Sequence, residues 1–373
     1  MIQPFSHLPS SPLVFGVGAV ASLGTQGGLR RAVRVLAITD RGVKRAGISD
    51  RAFSSLASRI ALLDEDTQPD ADCAHVDQLG DKARQLNVDA IVAVGGGSVI
   101  DTAKGVAAVI AKQQPIATLE GVATIRAQTL PLIVVPTTAG TGSEATQFAV
   151  LRDRVAGKKR IYVDTALIPS LALLDPELVV TTPRTVTAAT GVDAIAHAVE
   201  ALFSKGSHPL GAMLAVEALR LLVVDGALAR SLDDGKDVDA RSRCLLAANL
   251  AGQAVSSCYL GACHALAHAL GAMTGVAHGV ANGIFLAEVM RLNAMSSDGA
   301  MQRLRSVLGN EPIDVVRRVV HELAQVPTRL RDVGVRADQL AELARLAEKD
   351  PDLTTNPTTL DVKALMGIVE RLW

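Results

Sequence analysis

Aromatic residues are scarce in this chain. Two tyrosines, six phenylalanines and one tryptophan make up 2% of its 373 residues. Aromatic platforms on which bases could stack are therefore not expected, and the core must be aliphatic and rich in alanine. Charge of one sign is also lacking, since 37 Lys and Arg residues stand against 38 Asp and Glu residues. That balance gives no electrostatic footprint for nucleic acid or an anionic membrane, and we expect neither as a partner.

Features of secreted and membrane proteins are missing too. The four cysteines form no CxxC pair, and a chain of this length needs no disulfide staples, so we expect a reducing compartment, the cytoplasm. Apolar runs are broken by charge, Gly or His before they reach the roughly 18 residues that a membrane span needs. Residues Met1 to Phe15 lack the basic start and the apolar stretch of a signal peptide.

The length of the chain predicts two domains. In the first half, continuous β-branched runs predict buried strands at Val33–Thr39, Ala90–Val94 and Leu130–Val135, and helical patterns such as Val99–Lys112 intervene. This alternation is typical of a parallel sheet covered by helices. From about Val186 the period is helical, with no convincing strand. We therefore predict an α/β domain at residues 1–182, an all-α domain at residues 183–373, and a ligand in the cleft between them.

Two glycine-containing loops follow predicted strands. Gly95-Gly96-Gly97-Ser98 can bring backbone N–H groups close to a diphosphate at a helix N-terminus. Asp101, three residues after Ser98, fits either this site or a capping box, in which its role is structural. The second loop runs from Thr137 to Glu144 (TTAGTGSE), and its hydroxyls and glycines could hold phosphate and ribose. Gly16-Val17-Gly18 resembles the start of GxGxxG, but we expect no strand and helix around it.

The eight histidines are distributed unevenly. Asp193 and His197 are four apart, as are His264 and His268, so each pair projects from one helical face, and His278 follows a Gly-broken stretch. Their neighbours are apolar, and burying such groups without partners is costly. Any single one could be a hydrogen-bonded core histidine. For the set, a shared Fe²⁺ or Zn²⁺ is favoured. The other four histidines are expected at the surface: His7, His75, His208 and His321.

Motifs along nearly the whole chain resemble the iron-containing, group III alcohol dehydrogenases, which have a dehydroquinate synthase-like fold. These motifs are Gly95–Lys104 (GGGSVIDTAK), Pro136–Glu144 (PTTAGTGSE), Ala188–Glu200 (AATGVDAIAHAVE), His264–Gly271 (HALAHALG), His278–Asn282 (HGVAN) and Thr354–Pro357 (TTNP). The resemblance implies a Rossmann-like, dinucleotide-binding N-terminal domain and a helical, metal-binding C-terminal domain.

The resemblance also implies a role for individual residues. The metal, Fe²⁺ or Zn²⁺, would be held by Asp193, His197, His264 and His278, and His268 would lie near nicotinamide and substrate as a proton relay. NAD(H) would be bound by Asp40 at its adenine ribose, by Lys159, and by the two loops through Gly96, Gly97, Ser98, Asp101, Thr137, Thr138, Thr141 and Ser143. The expected enzyme is a homodimeric, NAD-dependent alcohol dehydrogenase or aldehyde reductase that acts on a small primary alcohol or aldehyde.

Departures from the family pattern concern the substrate. Val255 stands where many members have Phe, and Tyr259 where many have a small residue or Asn. If both lie on one helix, they face the same way, towards the substrate. Asp352 occupies a site near the pocket mouth that is often Cys, where we expect it to repel anionic substrates.

Other enzymes of this fold remain alternatives. A maleylacetate reductase would carry an altered histidine motif, which is not found here. A dehydroquinate synthase-like or glycerol dehydrogenase-like enzyme is the other possibility. The synthase reaction would need Lys and Arg to hold a phosphorylated, carboxylated sugar, and the segment from Val255 to Asn282 has no basic residue besides its histidines.

Overall fold

The structure is a computed structural model that describes residues 4–373. Met1–Gln3, the first residues of the stretch in which no signal peptide is expected, lie outside the described residues. The chain divides into two compact units. We call residues 9–138 and 142–182 the α/β unit, and residues 4–8, 139–141 and 183–373 the helical unit. Residues 139–141, which belong to the helical unit, lie within the glycine-containing loop Thr137–Glu144.

Within residues 4–373, nine strands form two sheets, both in the α/β unit. They are β1 (Leu13–Phe15), β2 (Val35–Ile38), β3 (Ile60–Asp64), β4 (Ala90–Gly95), β5 (Gly121–Val122), β6 (Leu132–Pro136), β7 (Phe148–Asp153), β8 (Lys158–Val163) and β9 (Leu171–Leu174). The larger sheet is parallel and has the order β1-β9-β6-β4-β2-β3. Every residue of β2, β4, β6 and β9 is buried, as continuous apolar runs predict for a parallel sheet. The predicted parallel sheet is thereby confirmed, and the three strands predicted for it, β2, β4 and β6, match to within two residues at each end.

The smaller sheet was not predicted. It has the order β5-β8-β7, with β7 and β8 antiparallel. Its basic residues make local ion pairs, for instance Arg160 with Asp153. Because of such ion pairs, the basic run at the start of β8 can lie in a regular strand.

Four helices belong to the α/β unit and ten to the helical unit. The helices are α1 (Arg41–Arg45), α2 (Ile48–Phe53), α3 (Cys73–Gln85), α4 (Gly97–Lys112), α5 (Arg184–Phe203), α6 (Pro209–Leu219), α7 (Ala227–Asp233), α8 (Val238–Cys258), α9 (Ala262–Thr274), α10 (His278–Ala294), α11 (Asp298–Leu308), α12 (Pro312–Arg318), α13 (Leu340–Glu348) and α14 (Val362–Leu372). No strand follows Pro183 in the described chain, as predicted.

Helix α5 lies at the centre of the helical unit, where it packs against α6, α8 and α10. By length and composition alone it is the one described helix that could cross a membrane, and 89% of its apolar window is buried inside the protein. Such burial is what a core helix shows. Because α5 is enclosed by other helices, any polar side chain on it needs an internal partner.

The segment Gly16-Val17-Gly18 is flanked by a strand and a 3₁₀ helix, which was not expected, but it does not bind phosphate. Strand β1 precedes it and a 3₁₀ helix at Ala19–Thr25 follows, so the expectation that neither flanks it was wrong. The N–H groups of Gly18 and Val20 nevertheless donate to the Asp175 carboxylate at 3.0 and 3.1 Å. Because an internal carboxylate already occupies these donors, the turn is not a phosphate site.

Candidate active site

Helix α5 carries three polar side chains on one face. Asp193, His197 and Glu200 follow at intervals of four and three residues, so they lie one above the other. Their exposed fractions are 2%, 6% and 3%. Three ionisable groups are thus buried side by side in an apolar helix, and their arrangement must supply the partners that burial removes.

Helices α9 and α10 bring imidazoles to the same point. The Nε2 atoms of His197, His264 and His278 lie 3.9, 3.9 and 3.7 Å from Oδ1 of Asp193. The ligand atoms of Asp193, His264 and His278 all lie within 4.8 Å of one another. The rings of His197 and His264 stack with centroids 4.7 Å apart. The structure therefore places the three sequence-predicted histidine ligands around an oxygen of the fourth, Asp193.

The side-chain amide of Asn282 shows that these atoms fit a cation. Its Nδ2 lies 2.7 Å from Asp193 Oδ1, 3.1 Å from His264 Nε2 and 3.4 Å from His278 Nε2. An amide nitrogen has two hydrogens, so it cannot satisfy three converging acceptors. A divalent ion accepts lone pairs from all of them at once, and carboxylate with imidazole suits Fe²⁺ or Zn²⁺.

The electrostatics of the cluster also suit metal ligands. Burial and the neighbouring His197 hold the pKa of His264 well below its usual value, which keeps the imidazole neutral and able to coordinate. Burial acts to raise the pKa of Asp193, but the surrounding histidines and Asn282 hold it below its usual value. Asp193 is therefore a carboxylate and His264 a neutral base at pH 7.

Glu200 is a functional candidate that the sequence did not reveal, although it ends the motif Ala188–Glu200. Its Oε2 lies 2.6 Å from Nδ1 of His264, and its Oε1 accepts the N–H of Cys263 at 2.7 Å. Burial raises the pKa of this carboxyl to about 7, while backbone donors oppose the rise. The available signal was its position three residues after His197, on the face of α5 that holds the ligands.

His268 lies beside the cluster. Its ring stacks on that of His278, with centroids 5.2 Å apart and planes 13° apart. Its Nδ1 is 2.8 Å from Oδ2 of Asp350 and 3.8 Å from Oδ2 of Asp352. Asp350 had no part in the sequence interpretation. With Nδ1–H donated to Asp350, Nε2 carries the lone pair that can take up a proton.

Asp352 does not have the charge expected of it. Burial and the adjacent Asp350 raise the pKa of its carboxyl to about 8. At pH 7 the group is therefore mostly protonated, and the expected repulsion of anionic substrates loses its basis. Its backbone N–H donates to Asp350 Oδ1 at 2.9 Å, which keeps the two carboxyls together.

Two further expectations about the helical unit were wrong. Helix α8 ends at Cys258, and Tyr259 follows it with φ 66° and ψ −179°, so Val255 and Tyr259 do not share a helical face. Val255 is buried, whereas Tyr259 is 40% exposed. His208, expected at the surface, is buried and caps α6 by accepting the N–H of Gly211 at Nδ1, 3.2 Å away. A polar sequence environment did not reveal this capping role.

The Thr354–Pro357 motif has a structural role next to the cluster. Asn356 is buried, and its Oδ1 accepts the N–H of Ala262, where α9 begins, at 3.1 Å. Thr355 donates its hydroxyl to the carbonyl of Leu260. These bonds fix the start of α9, the helix that carries His264 and His268.

In the α/β unit, the first glycine loop joins β4 to α4. A side chain on Gly95 would meet Val99 at 2.5 Å, so the helix requires glycine to approach the strand this closely. Helix α4 begins at Gly97 with Gly96 as its N-cap, which places Ser98 inside the first turn. The amides of that turn point out of a 16-residue helix, an arrangement that favours an anion such as phosphate.

Asp101 does not form the capping box that was one of its two interpretations, because Ser98 is not the N-cap. Its Oδ2 instead accepts the N–H of Val150 on β7 at 3.0 Å, and burial raises its pKa. One turn further along α4, Lys104 is fully buried and donates to the carbonyls of Thr146 and Phe148 at 2.8 and 2.6 Å. Both side chains tie α4 to the start of β7.

The second loop begins beside the first. Thr137 donates its N–H to the carbonyl of Gly95 at 3.0 Å, and the Thr138 side chain is 3.3 Å from where a Gly96 side chain would start. Ser143 is buried at the start of a 3₁₀ helix, while Thr141 lies in the three-residue segment that belongs to the helical unit. The structure thus gathers Gly96, Thr137 and Thr138 in one place at the ends of β4 and β6.

Asp40 and Lys159 already have partners within the protein. Asp40 follows β2 and caps α1, with Oδ1 accepting the N–H groups of Gly42 and Val43 at 2.7 and 2.9 Å. Lys159, on β8, donates to Asp70 Oδ1 at 3.0 Å. The position of Asp40 at the end of a parallel strand is the one from which a carboxylate meets a ribose in dinucleotide folds.

Comparison with known proteins shows the family of the chain. Residues 10–176 match the family described as iron-containing alcohol dehydrogenase, and residues 187–373 match its C-terminal domain. The chain is 35% identical over 96% of its length to a probable alcohol dehydrogenase, EutG, of Salmonella typhimurium, of which it covers 91%. It is 31% identical to the NAD-dependent methanol dehydrogenase of Bacillus methanolicus, with 96% of this chain and 97% of that protein covered.

The fold has a solved counterpart. The crystal structure of a 1,3-propanediol oxidoreductase superimposes with a TM-score of 0.93 at 29% identity, and each chain is covered completely. The overall fold of this chain, with its six-stranded parallel sheet and its helical unit, therefore occurs in a known oxidoreductase. The chain belongs to the iron-containing alcohol dehydrogenase family.

Proposed function

We propose that this enzyme transfers hydride between NAD(H) and a small primary alcohol or aldehyde, with Fe²⁺ or Zn²⁺ held by Asp193, His197, His264 and His278. The observation that carries the proposal is the convergence of three imidazole Nε2 atoms on Asp193 Oδ1 at 3.7 to 3.9 Å. Relatives named for methanol and 1,3-propanediol support a small primary alcohol as the substrate.

The chain's own residues supply binding and proton transfer. A divalent ion at this cluster would lower the pKa of the substrate hydroxyl or polarise its carbonyl, while the nicotinamide would exchange the hydride. His268, held through Nδ1 by Asp350, would take up the hydroxyl proton at Nε2 during alcohol oxidation and return it during aldehyde reduction. The burial of Asp193 and His264 keeps water from competing for these groups.

The α/β unit would bind NAD(H). We propose that the first turn of α4, with Gly96, Gly97 and Ser98, meets the diphosphate, and that Asp40 meets the adenine ribose. Asp101, bonded to Val150 on β7, and Lys159, on β8, would also contact the cofactor. The remaining contacts would come from the second loop, through Thr137, Thr138, Thr141 and Ser143. A homodimer is part of the same proposal.

The test joins metal analysis to turnover. The purified protein is stripped with a chelator, reloaded with Fe²⁺ or Zn²⁺, and assayed for NADH oxidation with a panel of small aldehydes. His264→Ala and His278→Ala should lose both the ion and turnover, while NADH binding, followed by fluorescence, should persist. His75→Ala is the matched control, because His75 is bonded to Asp64 in the α/β unit and should keep both. Full activity in verified metal-free protein would refute the proposal.

A further inference from the structure

We propose that Glu200 is the positioning residue for the metal ligand His264, and that its carboxylate decides which ring nitrogen faces the ion. The inference deepens the proposed function and rests on it, because it requires the metal centre. Glu200 lies on α5, the helix that also supplies Asp193 and His197, while His264 lies on α9. A single helix would thus hold two ligands and orient a third on its neighbour.

The geometry around Glu200 is that of a pure acceptor. Oε2 lies 2.6 Å from Nδ1 of His264 and accepts the backbone N–H of the same residue at 3.3 Å. Oε1 accepts the N–H of Cys263 at 2.7 Å. Because backbone N–H groups already donate to both of its oxygens, the carboxyl acts as an acceptor here, and the ring donates from Nδ1.

That bond fixes the tautomer of the imidazole. With the proton on Nδ1, the lone pair of His264 lies on Nε2, and Nε2 is the atom that faces Asp193 at 3.9 Å. The opposite tautomer would set the Nδ1 lone pair against carboxylate lone pairs 2.6 Å away and place a hydrogen on the coordinating side. A carboxylate behind a ligating histidine also makes the imidazole a stronger base.

The neighbouring ligand His197 lacks such support. Its Nδ1 is buried and has no hydrogen-bond partner among the described residues. The carboxylate of Glu200 therefore supports His264, and no carboxylate supports Nδ1 of His197 among the described residues. Of these two ligands, His264 is therefore the one whose ring orientation is set by a hydrogen bond before any ion binds.

The decisive variant is Glu200→Gln, which keeps shape and removes the acceptor-only character. Its amide NH₂ would oppose N–H donors at Cys263 or His264, or else force the ring to accept at Nδ1 and carry its proton on Nε2. Loss of such support for a ligand typically weakens metal binding by about 10- to 100-fold. We expect a loss of that size in the Kd for Zn²⁺, measured on metal-free protein by competition with a chromophoric chelator.

The control removes an equally buried carboxylate from the other unit. Asp175 is fully buried and accepts backbone N–H groups, so Asp175→Asn should lower stability and leave the Zn²⁺ Kd within about twofold of the wild type. A wild-type Kd in Glu200→Gln, with or without lost thermal stability, would overturn the role of Glu200. Absence of a Zn²⁺ site in the wild-type protein would instead refute the metal proposal, and this role with it.

A second measurement needs no folded variant of Glu200. In metal-free wild-type protein labelled with ¹⁵N-histidine, the His264 signals, assigned by their loss in His264→Ala, should show the hydrogen on Nδ1. A hydrogen on Nε2 would overturn the proposal even if Glu200→Gln does not fold.

Discussion

Nδ1 of His268 lies 2.8 Å from Oδ2 of Asp350, although the two residues are 82 positions apart in the chain. His268 sits on α9, and Asp350 caps the 3₁₀ helix Pro351–Thr355 by accepting the N–H of Asp352. The carboxylate is therefore fixed by its own backbone before it meets the ring. The positive charge that develops on His268 when it takes up a proton would be stabilised by Asp350, whose pKa is held below its usual value by His268 although burial acts to raise it.

The first prediction follows from this pair. Asp350→Asn should lower kcat by at least about tenfold, since proton transfer by a positioned histidine contributes about 10²- to 10⁴-fold and a neutral amide stabilises its charged form less. Metal content should change little, because the side chain of Asp350 is bonded to His268, which is not one of the four proposed ligands. The measurement is kcat for alcohol oxidation across pH, joined to metal analysis.

Asp352→Asn is the matched control for that prediction. Asp352 lies 3.8 Å from His268 and its pKa is raised to about 8, so an amide closely imitates its protonated form at pH 7. Its kcat should stay within about twofold of the wild type. Equal losses in both variants would assign the effect to disturbed packing of the 3₁₀ helix.

The sequence predicts those parts of the site that depend on local spacing. Asp193 and His197 are four residues apart on a helix, and this pattern is visible without a structure. Glu200 follows one turn later, but its partner His264 is 64 residues away, so no spacing rule connects them. Asp350 was missed for the same reason. Asn282 follows His278 by only four residues, but its bonds to Asp193 and His264 join other helices. Their roles arise from packing of separate helices.

In the fold, too, the parts that depend on a local pattern were predicted and the parts that depend on distant contacts were not. Buried parallel strands are continuous apolar runs, which predicted β2, β4 and β6 to within two residues at each end. The antiparallel pair β7 and β8 escaped prediction, because β8 begins with Lys158, Lys159 and Arg160. These cations are tolerated in a strand through ion pairs with Glu120, Asp70 and Asp153, which lie elsewhere in the chain.

The second prediction concerns cofactor preference. A carboxylate at Asp40 can accept from a ribose hydroxyl and repel a 2′-phosphate, so kcat/KM should be higher with NAD than with NADP. Because Asp40 also caps α1, Asp40→Asn is a cleaner change than removal of the side chain: Asn keeps the capping oxygen and loses the charge. The variant should show a smaller ratio of kcat/KM for NAD to kcat/KM for NADP, while its thermal stability stays close to that of the wild type.

Asp40→Gly separates the two roles of this residue. Glycine loses the side-chain cap at a cost of only a few tenths of a kcal/mol, and it should narrow the preference as well. Equal kcat/KM for the two cofactors in the unmodified enzyme would show that Asp40 does not meet the ribose.

The third prediction concerns the pH dependence of stability. His208 is buried, caps α6 through Nδ1, and stacks on Phe5 with ring centroids 4.6 Å apart. Burial and the nearby His7 lower its pKa, so the folded protein prefers the neutral ring. The unfolded chain then binds the proton more readily. The stability that the neutral His208 ring contributes is therefore fully present above the unfolded pKa of about 6.5, and it is lost as pH falls through the lower pKa of the folded protein.

The comparison that isolates His208 is with His208→Asn, which keeps an N-cap acceptor and cannot titrate. Between about pH 7.5 and about pH 5 the free energy of unfolding should fall more in the wild type than in the variant, by roughly 1.4 kcal/mol for each unit of pKa shift. Other carboxyls titrate in both proteins, so the difference between the two is the readout. Parallel curves would remove His208 as a source of acid sensitivity.

The last prediction concerns Tyr259, the residue just after α8. Its φ of 66° and ψ of −179° fall in a region that is essentially reserved for glycine and costs other residues about 1 to 3 kcal/mol. Tyr259 is 40% exposed, and glycine and alanine lose the same ring, so the area lost is common to both variants. Tyr259→Gly should therefore be more stable than Tyr259→Ala by about 1 kcal/mol or more in denaturant unfolding, because both lose the ring and only glycine relieves the backbone. Tyr259→Phe keeps the ring and the strained backbone, so it should show none of the relief that glycine brings. If glycine proves less stable than alanine, the backbone at this position is not strained. In that case a change in relative kcat/KM across a panel of aldehydes with Tyr259→Phe would be the remaining evidence that the tyrosine hydroxyl has a function.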